Sequence, residues 1–465
     1  MPRPSGVTGW GGWRRWARYA SVALAVAVLL AAGGLVGYRV LAPAEMRSPA
    51  RTPHPTRGPS ATGVISELGR TPLIVDDRLR VFAGPRQVWA DGPTAVHTEV
   101  TPYWSFRRWP QEVTGVVLAP GVVVTEWSDG VLVALDTGTG EVRWRTEPRP
   151  GARGGYAGRR TGAATVYAAP ALAVAGSVVV NLDSAAARGY DSATGRLLWR
   201  RELAGCPGGG WSVPGGYALA CADLVLLDPA SGRELRRWRP PGAGDGWQAE
   251  PVACAVGRSQ CRALRTQDSA GGRTQGWVVG AGGAVTAAPA LDSRTAWLAG
   301  DVVVEPVDAV GSPVPAGSLT PSAPVGPSTS PGPSAGPSAS AGSAGGVGGL
   351  VARRVDTGEP AWTWAPGGSA DRSPATVVAA GPDVLYLVTQ ERTLVGIDPA
   401  SGRELARFPL DRWRNISATT PDWRPGHVYI KDRYLVVERL HPRGDPAEDD
   451  NRYYYSLRTV LVTAW

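Results

Sequence analysis

The chain of 465 residues is too long for one ordinary compact core, unless that core is built from repeats. Its net charge of +8 is concentrated at one end, because residues 1–60 hold eight arginines and a single acidic residue, Glu45. A nucleic-acid-binding domain would need a basic footprint of its own, and residues 61–465 are nearly neutral overall. Nineteen tryptophans and 61 glycines beside three phenylalanines are typical of short strands joined by tight turns.

The first predicted element is a transmembrane helix at residues 19–41, after a short cytoplasmic N-terminus at residues 1–18. Residues 19–38 carry no charge, and a helix of that length spans about 30 Å, the thickness of a hydrocarbon core. Four arginines precede it, so the positive-inside rule predicts a single-pass protein of the cell membrane with an extracytoplasmic remainder. A cleaved signal peptide is the alternative, since Ala42-Pro43-Ala44 has the form of a cleavage site.

Two later segments have a low-complexity composition. Residues 42–65 are rich in Pro, Arg, Thr and Ser and predict a stalk. Residues 307–349 consist almost entirely of Ser, Pro, Gly, Ala and Val, which predicts a disordered insertion. Strand-like runs at residues 298–305 and 349–356 flank this second segment, so we expect it to interrupt one hairpin of the main domain at residues 66–465.

A skeleton of an apolar strand, an Asp, a Gly and an aromatic residue recurs five times in that domain. The Asp can accept hydrogen bonds from backbone N–H groups of its turn, and the Gly supplies a positive φ angle. The Trp offers a large apolar face for packing one sheet on the next, so all three residue types predict a structural role. The five copies are Asp136, Gly140 and Trp144; Asp191, Gly195 and Trp199; Asp228, Gly232 and Trp238; Asp356, Gly358 and Trp362, with a shortened turn; and Asp398, Gly402 and Phe408.

Each copy belongs to a unit of about 40 residues that reads as four short antiparallel strands. Radially arranged units of this kind form a β-propeller, so we predict an all-β fold of seven or eight four-stranded blades. Residues 70–110 are either an eighth blade or strands that close the ring, and residues 453–462 form a final strand.

Four cysteines, Cys206, Cys221, Cys254 and Cys261, lie on the predicted extracytoplasmic side and are candidates for disulfides. Pairing of nearest neighbours would close two short loops, but four cysteines allow three pairings. A zinc site is the alternative, although no CxxC pair and no neighbouring His support it.

The skeleton Asp-x-x-Thr/Ser-Gly-x-x-x-Trp resembles the PQQ-binding-like β-propeller repeat. The resemblance covers roughly residues 70–465 and is clearest at residues 131–144, 189–199, 224–238, 350–364 and 394–408. That family includes quinoprotein alcohol dehydrogenases and the scaffold propeller of outer-membrane protein assembly. The resemblance implies that Trp144, Trp199 and Trp362 dock neighbouring blades. For the enzymes of the family it implies a quinone over the ring axis, a calcium ion with acidic and Asn ligands, a catalytic Asp and often a disulfide of adjacent cysteines. No two cysteines are adjacent in this chain.

The sequence contains no set of residues that we would assign to catalysis, to a cofactor or to a metal. Its four histidines are scattered, and its single lysine, Lys431, lies outside any phosphate-binding motif. We therefore predict a non-catalytic scaffold or recognition module at the cell envelope, with a protein partner, no nucleic acid and no cofactor. The alternative is a membrane-tethered alcohol or sugar dehydrogenase that uses PQQ with calcium. A basic loop at residues 153–160 is either an anion-binding or a solvated loop.

Overall fold

The computed structural model describes residues 11–52, 55, 57, 62–149, 155–158, 164–203, 206, 209–256, 258–268, 273–307, 348–365, 375–410, 423–440 and 460–464. The N-terminal part forms a helix, α1 (Gly11–Leu41), followed by two strands, β1 (Ala44–Ser48) and β2 (Gly63–Leu68). Among the residues described, no helix is both long and apolar enough to cross a membrane. The structure therefore does not support the predicted transmembrane helix and single-pass topology.

Together with the later strands, β1 and β2 form eight antiparallel sheets over the described ranges, and each sheet is one blade of the propeller. The first four blades follow one another in chain order. Blade one contains β3 (Leu73–Val75), β4 (Leu79–Gly84), β5 (Gln87–Asp91) and β6 (Trp104–Trp109); blade two contains β7 (Val113–Ala119), β8 (Val122–Trp127), β9 (Leu132–Asp136) and β10 (Val142–Arg145); after the short helix α2 (Ala164–Tyr167), blade three contains β11 (Leu172–Ala175), β12 (Val178–Leu182), β13 (Ala186–Asp191) and β14 (Leu197–Glu202); blade four contains β15 (Gly210–Val213), β16 (Gly216–Ala220), β17 (Leu224–Leu227) and β18 (Glu234–Trp238).

The last four blades complete the ring, with two short 3-10 helices, Ala281–Gly283 and Pro289–Leu291, in and after blade five. Blade five contains β19 (Gln248–Val252), β20 (Ala263–Gln267), β21 (Thr274–Val279) and β22 (Val285–Ala287); blade six contains β23 (Trp297–Ala299), β24 (Val302–Val307), β25 (Gly349–Arg354) and β26 (Pro360–Trp364); blade seven contains β27 (Ala375–Ala380), β28 (Leu385–Thr389), β29 (Thr393–Ile397) and β30 (Glu404–Pro409); blade eight contains β31 (Arg424–Lys431), β32 (Tyr434–Leu440), β33 (Val460–Ala464) and β2. The predicted all-β propeller is confirmed, and its blades number eight.

The ring closes by pairing the two ends of the propeller sequence. In blade eight, β2 lies antiparallel to β33, with Leu68 opposite Val460 and Gly63 opposite Ala464. Residues 70–110, which the sequence left undecided, supply all four strands of blade one. The final strand begins at Val460, and residues 453–459 of the predicted strand lie outside the described residues.

The hydrophobic core consists of eight clusters, one at each junction between successive blades of the described structure. Strands near the middle of a blade bury both faces; all six residues of β8 are buried, for example. First strands of neighbouring blades contact one another, as β7 contacts β11 and β11 contacts β15, so these strands surround the axis. The fourth strands, including β10 and β14, lie on the outer rim.

The predicted stalk is not one uninterrupted linker, because both of its ends are strands. Residues Ala44–Ser48 form β1, which pairs antiparallel with the outer strand of blade one, Ala44 opposite Trp109. Glu45 links this strand to blade two by an ion pair with Arg145 at 2.9 Å, and it also pairs with Arg47 of its own strand. The sequence did not predict this strand because its side chains are mostly exposed and it is held by long-range pairing.

The predicted insertion is flanked by two strands that pair with each other. In blade six, β24 and β25 are antiparallel neighbours, with Val307 directly opposite Gly349. The segment between them, residues 308–347, lies outside the described residues. Its two ends therefore leave and re-enter the same hairpin of one blade.

Candidate functional site

At four junctions of the described ring, an outer-strand tryptophan of one blade packs on the turn glycine of the next. Trp144 of blade two lies against Gly195 of blade three, so closely that a β-carbon on Gly195 would lie 2.6 Å from the indole ring. The indole Nε1–H donates a hydrogen bond of 2.8 Å to the carbonyl of Ser192. Gly195 has a φ of 71°, so the turn needs glycine both for its backbone conformation and for the close approach.

The same contact recurs at three more junctions between described blades. In each, the indole N–H donates to the carbonyl of the residue that follows the first position of the turn. Trp199 lies on Gly232 and donates to Pro229 at 2.7 Å; Trp362 lies on Gly402 and donates to Pro399 at 2.8 Å; Trp104 lies on Gly140 and donates to Thr137 at 2.9 Å. Sequence reasoning missed Trp104, since blade one has no Asp-turn-Gly skeleton that would have marked it.

The repeat aspartates shape the turns that carry these glycines. Asp191 Oδ1 accepts hydrogen bonds from the backbone N–H groups of Ala193 and Thr194, at 3.1 and 2.8 Å. The Thr194 hydroxyl also donates to Asp191 and lowers the pKa of that carboxyl group. Equivalent hydrogen bonds join Asp136 to Gly138 and Thr139, Asp228 to Ala230 and Ser231, and Asp398 to Ala400 and Ser401. These carboxylates are engaged by their own turns.

The turn of blade six differs from the sequence prediction. Its length is normal, because the Gly358 N–H donates to the Arg354 carbonyl at 2.8 Å, as the Gly140 N–H donates to that of Asp136 at 2.9 Å. Arg354 thus takes the first position of the turn, and Asp356 lies two residues further along. The predicted shortening was wrong, since it assumed that the aspartate always marks the start of the turn.

Trp238 makes a different contact from the other repeat tryptophans. Blade five has no Asp-turn-Gly skeleton, and Trp238 instead meets Trp247 and Trp277 edge-on, with ring centroids 6.1 and 4.9 Å apart. The junction between blades four and five is therefore an aromatic cluster. Phe408 is half-buried beside the core between blades seven and eight.

All four cysteines are used in disulfides between nearest neighbours. Cys206 pairs with Cys221 at the edge of blade four, and Cys254 pairs with Cys261 between the first two strands of blade five. The predicted disulfides are confirmed, and the zinc alternative is wrong because an oxidised sulfur cannot serve as a thiolate ligand.

The axial end of blade one is covered by Tyr167. Helix α2 lies against β7 and β31, which are the first strands of the two blades that flank blade one. The buried Tyr167 hydroxyl donates to the carbonyl of Thr71 at 2.8 Å and accepts from the N–H of Ala83 at 3.2 Å. Burial raises the pKa of this phenol.

Of the predicted basic loop, residues 155–158 are described, and its arginines lie outside the described residues. Tyr156 packs beside blade one, and its N–H donates to the Glu112 carboxylate at 2.9 Å. Its hydroxyl donates to the Ala83 carbonyl at 3.2 Å. This part of the loop is thus held against the propeller by contacts that need no anion.

The calcium ion of the enzymes in the family would need a cluster of acidic and Asn ligands. Over these ranges, no three side chains of His, Cys, Asp or Glu lie close enough together to hold a metal ion. One acid-and-Asn pair is buried beside blades two and three, where Glu126 accepts a hydrogen bond of 2.8 Å from Asn181. The guanidinium of Arg149 lies 3.8 Å from Glu126 and binds the Asn181 amide oxygen, so a protein cation already occupies this position.

The protein is an eight-bladed β-propeller in which tryptophans pack across four of the described blade junctions. The family model described as "Outer membrane protein assembly factor BamB" matches residues 81–211, from the second strand of blade one to the first strand of blade four. The predicted resemblance to the PQQ-binding-like propeller repeat family is thereby confirmed. A search of curated proteins found no match.

Several solved structures are similar over most of this chain. BamB from Moraxella catarrhalis is 14% identical with a TM-score of 0.41, over 88% of this chain and 99% of that chain. The computationally designed Ika8 protein is 14% identical with a TM-score of 0.45, over 86% of this chain and 99% of that one. The quinohemoprotein alcohol dehydrogenase from Comamonas testosteroni is 15% identical with a TM-score of 0.35, over 82% and 71%. These low identities and TM-scores give no ground for transferring a function.

Proposed function

We propose that this protein is a non-catalytic scaffold of the cell envelope, whose propeller binds a protein partner. The observation that carries the proposal is the family match over residues 81–211, since the matched family is described as an outer-membrane protein assembly factor. The use of the repeat residues supports it, because Asp191, Trp144 and their equivalents serve turns and blade junctions. The partner protein would then bind to the rim and the connecting loops, because loops held by a rigid scaffold commonly carry binding residues.

The scaffold is held at the membrane by the N-terminal segment in this proposal. Residues 19–38 are uncharged, and the side chains of Val22, Leu24, Leu29 and Leu30 on α1 are exposed. Exposed apolar side chains in such number favour an apolar environment. Because β1 begins at Ala44, soon after α1 ends at Leu41, the propeller would lie close to the anchor.

Membrane anchoring is tested by fractionating cells that produce the full chain. We expect the protein to remain in the membrane fraction after alkaline carbonate extraction, with the propeller accessible to protease from the extracytoplasmic side. Release by carbonate, or protection from protease in intact spheroplasts, would contradict this part of the proposal.

Partner binding is tested by proximity labelling with the labelling enzyme fused to the C-terminus of the full chain. The control carries the same enzyme on the N-terminal segment without the propeller. We expect a reproducible set of envelope proteins that is enriched only by the full chain. Identical sets from the two fusions would overturn the scaffold.

The dehydrogenase alternative is tested on the same purified full chain with PQQ and calcium added. We expect no dye-linked oxidation of alcohols or sugars above a protein-free control. Turnover that requires both PQQ and the protein would replace the scaffold with the enzyme.

A further inference from the structure

Among the five glycines of the Asp-turn-Gly repeat, all of which the structure describes, Gly358 alone has no tryptophan on it. Gly358 of blade six has a φ of 72°, and no atom lies within 4 Å of the place where its β-carbon would be. The four glycines at the same position of other turns each carry an indole within 2.7 Å of that place. They are Gly140, Gly195, Gly232 and Gly402.

The tryptophan is missing because the outer strand of blade five, β22, carries a different residue at the corresponding position. In blade two, the Asp136 N–H closes the turn by donating to the Glu141 carbonyl. Ala134, two residues before Asp136, is the backbone partner of Trp144. In blade five, the Gly280 N–H closes the equivalent turn by donating to the Ala284 carbonyl at 2.8 Å. Val278, two residues before Gly280, is the backbone partner of Thr286. Thr286 therefore stands at the register position of the docking tryptophan, and it is exposed.

The hydrogen-bond acceptor of the missing indole is nevertheless in place. Val355 follows Arg354 in the turn of blade six, as Thr137 follows Asp136 in blade two. The two turns have the same backbone pairing. The Val355 N–H donates to the Asp301 carbonyl, and the Thr137 N–H donates to the Gly121 carbonyl, each at a distance of 3.1 Å. No indole among the described residues donates to the Val355 carbonyl. Blade six thus presents a glycine surface and an oriented carbonyl without the side chain that both serve elsewhere.

We propose that this open site, formed by Gly358, Val355 and Thr286 between blades five and six, binds a tryptophan side chain of a partner protein. We infer a tryptophan as the occupant because the four equivalent turns each hold an indole ring and accept a hydrogen bond from its N–H. Tryptophan is also among the residue types that most often carry binding energy at protein interfaces, where its ring is buried and its N–H is satisfied. The inference rests on the proposed scaffold function and names the position on the rim where the partner docks.

Binding is measured by fluorine NMR with the probe N-acetyl-5-fluorotryptophan amide and the purified full chain. We expect the wild type to broaden the probe resonance at millimolar concentrations. Gly358→Ala adds a β-carbon where the indole would lie and should lower the affinity at least about tenfold, which corresponds to about 1.4 kcal/mol. The matched control is Gly242→Ala, at a glycine with a φ of 74° and equally open space, which should bind the probe as the wild type does.

A second variant occupies the site from within the chain. Thr286→Trp supplies the indole from blade five and should abolish broadening of the probe. In the proximity-labelling experiment, it should also remove the partner that the wild type enriches. Absence of broadening by the wild type, or equal broadening by the wild type, Gly358→Ala and Thr286→Trp, would overturn the site.

The two proposals fail in different ways. An enriched partner set that is unchanged by Thr286→Trp and by Gly358→Ala would overturn the tryptophan site while leaving the scaffold intact. A wild type without any enriched partner would overturn the scaffold function itself.

Discussion

The indole of Trp199 in blade three packs against Gly232 in blade four, so closely that a β-carbon on Gly232 would lie 2.5 Å from the ring. The Trp199 Nε1–H also donates to the Pro229 carbonyl at 2.7 Å. Trp199→Ala should therefore lower the free energy of unfolding by about 3–5 kcal/mol, the usual cost of truncating a buried aromatic side chain. Denaturant titration of the purified full chain measures this change.

The matched control for this prediction lies on the same strand. Leu197 is 48% exposed, so Leu197→Ala should change the free energy of unfolding by no more than about 0.5 kcal/mol. Equal losses from the two variants would mean that the tryptophan does not join the blades.

The turn glycines allow backbone strain to be separated from crowding. Gly195 and Gly176 both have positive φ angles, of 71° and 62°, but only Gly195 has an indole against it. Gly176→Ala should cost about 1–2 kcal/mol, the penalty of a left-handed conformation for a residue with a β-carbon. Gly195→Ala should cost about 1–3 kcal/mol more, because Trp144 has to move. Thermal unfolding of both variants checks the order, and a smaller loss for Gly195→Ala would refute it.

The stability of the turns should depend on pH. The hydrogen bond from the Ser401 hydroxyl lowers the pKa of Asp398 in the folded state. A lowered folded-state pKa contributes stability above the unfolded value of about 3.9, and that stability is lost as the pH falls through the folded-state pKa. Asp398→Asn keeps an oxygen acceptor for the Ala400 N–H but cannot ionise. The wild type should be the more stable protein at pH 7 and lose this advantage progressively as the pH falls below the unfolded-state value; a difference independent of pH would contradict the prediction.

Blade one depends on a buried ion pair that sequence reasoning did not single out. Arg80 Nε lies 2.7 Å from Asp91 Oδ1, and both side chains are almost fully buried. The guanidinium also donates to the carbonyls of Val96 and Thr98, at 2.7 and 2.9 Å. Arg80→Met should cost about 3–5 kcal/mol, because it leaves the Asp91 carboxylate buried without its cation.

A second substitution tests the cause of that loss. Arg80→Met combined with Asp91→Asn removes the uncompensated charge, so it should be less destabilising than Arg80→Met alone. If the double variant is as unstable as the sum of the two single variants, the two residues do not interact as the structure indicates.

The fold could be predicted from the sequence because the Asp, Gly and Trp of each repeat act locally. Asp191 and Gly195 build one turn by themselves, and their spacing to Trp199 shows that the next strand follows directly. What the sequence did not reveal depends on long-range pairing. Strand β1 has no pattern of its own and is defined by the edge of blade one. Trp104 and Arg354 take repeat positions without the residues that normally mark them.

Only part of the candidate site could be predicted from the sequence. Gly358 stands out as a repeat glycine, but nothing in its own unit shows that the tryptophan opposite is missing. That absence becomes visible when the pairing of Val278 with Thr286 identifies which residue of blade five faces the turn.

The most direct test of the account is the thermal unfolding midpoint of Thr286→Trp compared with that of the wild type, without any ligand. If docking of an indole on a turn glycine is the contact that joins blades, completing it between blades five and six should stabilise the protein by about 1–3 kcal/mol, the value of burying a large apolar side chain. The account predicts a higher midpoint for Thr286→Trp and no such rise when the same substitution is combined with Gly358→Ala. An unchanged or lower midpoint for Thr286→Trp alone would contradict it.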